Sequence, residues 1–398
     1  MGEWVGRNKG AVMRILHLGK YYPPYRGGME SVLRDLCERH ASRARVTALV
    51  SNTNRETIEE ERGGVRVVRV GCRGTPFSVP IVPGLPRWLR RTPADVIVHH
   101  EPNPVALLSY LSVRPQAPLV VWFHSDIVRQ RLFYWTYRPF LRRVLERAQA
   151  IVVASPNHVR YTPILNEFSK ECLVIPYGID RARFSPTAEV TDRAAAIRAE
   201  HPLPIVLFVG RFAYYKGISY LVQAMRDVSA RLILAGAGPL HGQIRQLAKS
   251  VASPGVIEFA GEVPDAEIVA LMHACDVFVL PSVERSEAFG IVQVEAMACR
   301  KPVVSCRIPS GVPWVNRDGI TGLTVRPADS GALAQAINRL LGDEVLRRRL
   351  GENGRERVHR EFTIERMTDS FWEVLTAARS GRGAEAYRYD PGSVAVVG

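Results

Sequence analysis

No stretch of this 398-residue chain approaches the roughly 18 consecutive apolar residues that a membrane-spanning helix needs. The opening residues, MGEWVGRNKGAV, hold no apolar core long enough for a secretory signal. They also miss the N-myristoylation pattern, because Gly6 stands where Ser or Thr is required. Cysteine is sparse and unpatterned. Cys37, Cys72, Cys172, Cys275, Cys299 and Cys306 are scattered, with no CxxC pair and no metal-ligand spacing. The expectation is of buried, reduced thiols in a cytoplasmic protein, with neither a disulfide framework nor a zinc site. Solenoid-period repeats, low-complexity segments and a DxD-like acidic cluster at a cleft loop are missing as well.

What is present is an ordinary globular composition, 46% hydrophobic and 23% charged, on a chain longer than one hydrophobic core usually serves. Two domains are therefore expected. The charge balance is less ordinary: 53 Lys and Arg stand against 39 acidic residues, a formal net of +14. Such an excess favours anionic partners, whether nucleotide diphosphates, acidic lipid head groups or nucleic acid, and by itself does not choose among them.

Along the chain, apolar runs ended by Gly, Ser or polar clusters alternate with amphipathic stretches. MRILHLG (13–19), RVTALV (45–50), DVIV (95–98), PLVVWF (118–123) and AIVVAS (150–155) read as buried parallel strands with covering helices. The pattern then resets through SPTAEVTDRAAAIRAEHPLP, a short helix flanked by linkers. It resumes at PIVLFVG (204–210), RLILAGA (231–237), VIEFAG (256–261), DVFVLPS (276–282) and KPVVSC (301–306). The expected fold is α/β, two Rossmann-like doubly wound parallel-sheet domains with a cleft between their strand carboxyl ends. The boundaries read as a domain over 1–180, a linker over 181–203 and a second domain over 204–362. A helix follows over 363–378, then a tail over 379–398 expected to be poorly ordered.

Three strand-to-helix loops carry candidate chemistry. In LGKYYPPYRGGMESVLRDLCERH, Gly27 and Gly28 precede an amphipathic helix. They read either as a place where a diphosphate approaches free helix amides or as a tight turn needing positive φ. In GRFAYYKG (210–217), Arg211 and Lys216 straddle a loop where both cations can face a leaving diphosphate, or can simply be solvated. The strongest pattern is SVERSEAFGIVQVEAMACRKPVV, where Glu287 lies in the loop and Glu295 about one turn inside the following helix. One carboxylate can accept from sugar hydroxyls and the other can grip a ribose diol. Between them the amides near Phe289, Gly290 and Ile291 can meet phosphate. The plainer alternative is two acids on a solvated helix start.

Weaker signals accompany these. GAGPL (236–240) fails the GxGxxG fingerprint at His241 and reads as a close-approach turn that could lie beside a nucleotide base. His124, in VVWFHSDI, ends a strand and so can face the cleft, or can be a core histidine. The run 127–147 interleaves Arg129, Arg131, Arg138, Arg142, Arg143 and Arg147 with Phe133, Tyr134, Trp135, Tyr137 and Phe140. It reads as a membrane-surface face or as an amphipathic helix with its aromatics in the core.

Together PPYRGGME, GRFAYYKG and the Glu287–Glu295 spacing, in that order and over residues 13–376, resemble the GT4 family of retaining glycosyltransferases with the GT-B architecture. The resemblance implies an acceptor-side first domain, a nucleotide-sugar-binding second domain and a terminal helix crossing back to the first. It implies diphosphate binding by Arg211 and Lys216, ribose binding by Glu295 and sugar binding by Glu287. Catalysis would rest on Arg211, Lys216, Glu287 and His124, without metal or other cofactor. One departure is Arg300, where similar segments usually carry Gly. HSDIVRQ and SVERSEAFGIVQVEAMA resemble more narrowly bacterial mannosyltransferases that build O-antigen or exopolysaccharide from GDP-mannose. The implied acceptor is a glycan or polyprenyl-diphosphate-linked glycan, at a cytoplasmic site or on the inner membrane face. A nucleotide-sugar 2-epimerase of the same architecture is the rival enzyme. A basic nucleic-acid-binding protein is the rival without chemistry; it lacks a zinc finger or RNP-like motif, so no nucleic-acid partner is expected.

Overall fold

The computed structural model describes residues 12–25, 27–76, 79–126, 131–251 and 255–393, with backbone alone at 131–134 and 393. The chain separates into two compact units. One gathers the chain up to His124 with Leu132–Val152 and Thr368–Ala386; the other holds chiefly Val153–Met367.

The first sheet comprises β1 (Arg14–Leu18), β2 (Arg45–Ser51), β3 (Ile58–Arg62) and β4 (Val65–Val70), then β5 (Val96–Glu101), β6 (Leu119–Phe123), β7 (Ala148–Val153) and β8 (Cys172–Val174). Their order is β3-β4-β2-β1-β5-β6-β7-β8. From β4 through β6 the pairings are parallel. VIVHHE of β5 and LVVWF of β6 are buried along their whole length, as strands covered on both faces must be. β3 is the exception, an antiparallel edge whose IEEER sequence is mostly exposed. Its charge guards the edge, with Glu59–Arg66 at 2.6 Å and Glu60–Arg69 at 2.7 Å. Thr368–Ala386 belongs to this unit: Phe371 is fully buried, 4.6 Å between ring centroids from Trp122.

The second sheet comprises β9 (Ile205–Val209), β10 (Arg231–Ala235), β11 (Val256–Gly261), β12 (Val277–Leu280), β13 (Val303–Cys306) and β14 (Gly322–Val325). It is wholly parallel in the order β11-β10-β9-β12-β13-β14. Counted within the unit this is 3-2-1-4-5-6, so the winding reverses between β9 and β12, where such sheets open a crevice at their carboxyl ends. Both units are therefore Rossmann-like α/β domains.

Residues 181–203 are packed into the second unit. The helix Ala188–Ala199 turns Ala194 and Ile197 inward, and Arg193 holds Glu267 at 2.7 Å. Three helices follow the sheet, Ser330–Gly342, Glu344–Glu361 and Ile364–Arg379. Beyond them Tyr389 donates its backbone N–H to Cys172 at 2.9 Å. All six cysteines are buried and free.

Candidate active site

The second unit builds its site where β9 and β12 end. After β9 the chain makes a 3₁₀ turn, Tyr214–Lys216, closed by Gly217 at φ 63°. A side chain at Gly217 would strike the carbonyl of Pro281, so glycine alone lets this turn press on the loop after β12. Val283 N–H donates to the Tyr215 carbonyl at 2.8 Å, stitching the two loops together. GAGPL joins from β10: Phe212 N–H donates to Ala237 at 2.8 Å, and Leu240 N–H to Phe212 at 3.1 Å.

This geometry brings Lys216 and Glu287 into direct contact. Lys216 Nζ lies 2.5 Å from Glu287 Oε2, and Ser282 Oγ donates to the same oxygen at 3.0 Å. Both charged residues are about nine-tenths buried, at 9% exposure. Burial works to lower the Lys216 pKa. The Glu287 carboxylate, helped by the Tyr215 phenol, outweighs it and holds the ammonium above its ordinary range. Both contacts fall on Oε2; Oε1 accepts no hydrogen bond from the described residues. Ser282 escaped the sequence reading; its only signal is its place at the end of DVFVLPS.

Arg211, on the same loop, is exposed and has no ion-pair partner among the described residues. Its charge reaches Tyr215, whose phenol is raised by burial, lowered by Lys216, raised by Glu287 and lowered by Arg211, with a net rise. Glu295 occupies different surroundings. It is half-buried, and burial pushes its carboxyl up to about 7, with Arg183 opposing and Asp265 reinforcing the shift. Arg183 and Asp265 pair with each other at 3.0 Å. Neither of these neighbours was legible in the sequence.

Between the two acids, Phe289 is buried against Tyr177, Phe362 and Trp314 with centroid separations of 5.0, 5.9 and 6.4 Å. Its ring is core, so only its backbone is available to a ligand. Gly290, at φ 70°, starts the helix Ile291–Ala298 with no side-chain cap, which leaves the first amides without a side-chain acceptor. Ile291 is half-buried at that start. At the other end, Arg300 takes φ 59°, the conformation for which similar segments use Gly. Its N–H donates to Met297 at 2.9 Å and that of Lys301 to Ala296 at 3.0 Å, a Schellman closure. The fold tolerates the departure at the cost of a strained non-glycine residue.

In the first unit, Gly27 is extended at φ −177° and Gly28 opens the helix Gly28–His40. The alternative of a tight turn needing positive φ is therefore wrong here. A side chain at Gly27 would displace the Glu30 carboxylate, the movable end of a flexible side chain, and a methyl on Gly28 would enter open space. His124 is buried beyond β6, bonded through Nε2 to His100 Nδ1 at 2.8 Å. The basic-aromatic run divides as well. Tyr137 is core and donates to Glu101 at 2.8 Å, while Trp135 and Phe140 are exposed. Arg129 lies outside the described residues, as do the side chains of Arg131, Phe133 and Tyr134. Among the described residues no group of His, Cys, Asp and Glu could hold a metal ion, and no helix is long and apolar enough to cross a membrane.

Two family models match the chain in succession, Glycosyltransferase Family 4 over residues 26–183 and Glycosyl transferases group 1 over 191–357. An O-antigen chain mannosyltransferase C of Escherichia coli is 33% identical over 92% of this chain and 98% of its own. The chain belongs to the family 4 glycosyltransferases. A D-rhamnosyltransferase of Pseudomonas aeruginosa is also similar to this glycosyltransferase, 32% identical over 88% of the chain and 92% of its own length. Its fold is that of sucrose-phosphate synthase from Thermosynechococcus elongatus, with a TM-score of 0.78, 24% identity, 93% of this chain and all of that one. The GT-B architecture is thereby established for this enzyme.

Proposed function

We propose that this glycosyltransferase moves mannose from GDP-mannose, with retention of configuration, onto a glycan or polyprenyl-diphosphate-linked glycan in bacterial polysaccharide biosynthesis. The observation that carries the site assignment is the Lys216–Glu287 pair at the winding reversal of the second sheet. The mannose donor rests on the similarity to the O-antigen mannosyltransferase, supported by a phosphatidyl-myo-inositol mannosyltransferase of Mycobacterium leprae at 28% identity.

In this reading the acceptor hydroxyl oxygen bonds to the anomeric carbon as the bond from that carbon to the donor phosphate breaks on the same face. The hydroxyl proton passes to the leaving phosphate oxygen. Products are the glycosylated acceptor and the nucleotide diphosphate, so no carboxylate nucleophile is required. Arg211 and Lys216 meet the charge that grows on the departing diphosphate, and the amides near Phe289, Gly290 and Ile291 add to them. Glu287 steers Lys216 and accepts from the sugar hydroxyls, while Glu295 accepts from the ribose diol. Gly27 and Gly28 are assigned to donor binding and His124 to catalysis. With cations of the chain neutralising the leaving group, turnover is expected to survive chelation of divalent metal.

The donor is testable by thermal shift, since a ligand that binds only the folded state raises stability by mass action. GDP-mannose is expected to raise the melting temperature. A clear shift with a UDP-sugar and none with GDP-mannose would overturn the donor while sparing the fold. Turnover of donor without any acceptor would instead favour the epimerase.

A peripheral membrane setting is part of the same reading. Trp135 is 67% exposed on the helix Arg131–Leu145, and Phe140 helps line a groove of about 660 Å³ with Leu108, Leu111, Arg114, Arg143, Arg147 and the acidic Glu146. An exposed aromatic and a groove with an excess of cations over acids suit an anionic bilayer. The protein is expected to co-sediment with anionic vesicles at low salt and to be released as salt rises. Equal recovery on neutral vesicles counts against it.

A further inference from the structure

Gln293 lies in the first turn of the helix Ile291–Ala298, two residues before Glu295, and is fully buried. A side-chain amide belongs in such a place only if its polar groups are used. Its Nε2 donates to the Phe289 carbonyl at 2.7 Å and to the Val312 carbonyl at 3.4 Å. Two carbonyls can be met only by the NH₂ end, which fixes the way the amide is turned. At the other end Oε1 is buried and has no partner among the described residues. An unfilled buried acceptor costs stability, so the amide serves through its donor end.

One residue earlier the chain is tied a second time. Gly311 N–H donates to the Ala288 carbonyl at 2.8 Å, and a side chain at Gly311 would meet that oxygen at 2.6 Å and Ser155 Oγ at 2.7 Å. A planar trans peptide holds its C=O and N–H antiparallel. The Ala288 carbonyl, fixed against Gly311, therefore turns the Phe289 N–H the opposite way. The Phe289 carbonyl, fixed against Gln293, likewise turns the Gly290 N–H away from the buried amide. Neither N–H meets an acceptor among the described residues, although Phe289 and Gly290 are both buried. Buried N–H groups without an acceptor are rare in folded proteins.

We propose that Gln293 is a positioning residue for the transfer reaction: with Gly311 it clamps two successive carbonyls, so that the amides of Phe289 and Gly290 are aimed before the diphosphate begins to leave. The proposal rests on the reading of those amides as donors to the leaving group. Donors fixed in advance lower a barrier because nothing has to reorganise as charge develops. An unclamped peptide plane can rotate and present its oxygen to the anion instead. Fully buried, Gln293 acts only through that backbone.

The test uses the full-length chain labelled with ¹³C-carbonyl phenylalanine and ¹⁵N-glycine. Phe289–Gly290 is the one Phe–Gly step in the sequence, so a single doubly labelled amide signal reports it. Gln293→Met keeps the length of the side chain and cannot donate. It is expected to move or split the Gly290 signal while the melting temperature stays near that of the wild type. With GDP-mannose as donor, its single-turnover step should slow about tenfold, short of the hundredfold scale of losing a preorganised donor outright, with donor KM little changed. Gly311→Ala, which thrusts a methyl at the Ala288 carbonyl, is expected to do the same to signal and step, and decides the matter should Gln293→Met not fold. Val304→Ala, a buried truncation elsewhere in the sheet, should lower the melting temperature without slowing the step. An unmoved Gly290 signal in Gln293→Met would overturn the clamp and leave the reading of the amides standing. A moved signal with a normal chemical step would sink that reading, and the role of Gln293 in the reaction would fall with it.

Discussion

At the ends of β9 and β12 the second unit buries a charged pair, Lys216 with Glu287; at the ends of β1, β5 and β6 the first unit buries a row of three imidazoles. Both arrangements satisfy polar groups that water cannot fully reach, by opposite means. The pair keeps its charge because each partner and Ser282 offset the loss of solvent. The row needs no counter-charge, because each ring supplies what the next lacks. A held charge can answer charge that develops on a substrate, whereas His17 and His100, which burial holds well below the ordinary imidazole range, carry no such charge. The proposed mechanism therefore assigns leaving-group stabilisation to the second unit.

Arg211, the exposed cation on the same loop as Lys216, should give an effect close to that of Lys216 itself. Arg211→Ala is expected to lower turnover by about a hundredfold in steady-state kinetics, the scale of losing one preorganised electrostatic partner. Arg211→Lys should recover only part, because a fork becomes a point charge. A near-normal rate for Arg211→Ala would break the contrast between the units.

Glu295 sharpens the comparison as an acid without the close partner that Glu287 enjoys. Glu295→Gln is expected mainly to raise the donor KM, with a smaller change in kcat, because a ribose contact is made about equally before and during reaction. The same carboxyl, raised to about 7, gives a pH signature in stability. Its contribution is fully present below the ordinary carboxyl range and is lost as pH rises through about 7. The melting temperature of Glu295→Gln relative to the wild type should therefore climb between pH 5 and pH 8. A flat difference would contradict this. The smallest effect is structural: Arg300→Gly should add about 1 kcal/mol in urea denaturation by relieving φ 59°, less the little that its exposed pair with Glu352 contributes.

The sequence made the repeating strands visible because central parallel strands are continuous apolar runs, and VIVHHE and LVVWF are buried throughout. It hid β3, since IEEER is an edge strand with almost no apolar signal. Lys216 and Glu287 were legible as separate candidates, each on a strand-to-helix loop. Their mutual contact was not, because 71 positions of chain separate them and only the order of β9 and β12 brings them together. The setting of Glu295 was hidden for the same reason: Arg183 and Asp265 reach it from segments that carry no motif. His124 looked like a lone histidine, as His17 and His100 are neighbours only across the sheet. At Arg300 the departure from glycine was plain, and the backbone carries it with a positive φ.

The measurement that bears most directly on the account is the single-turnover rate of Lys216→Ala at saturating donor and acceptor, on protein shown to be folded. This separates bond breaking from donor binding and product release. If the buried ammonium serves the leaving diphosphate, the chemical step should slow by roughly a hundredfold or more. Donor affinity should change much less. A chemical step within a few-fold of the wild type, with the loss confined to binding, would contradict it.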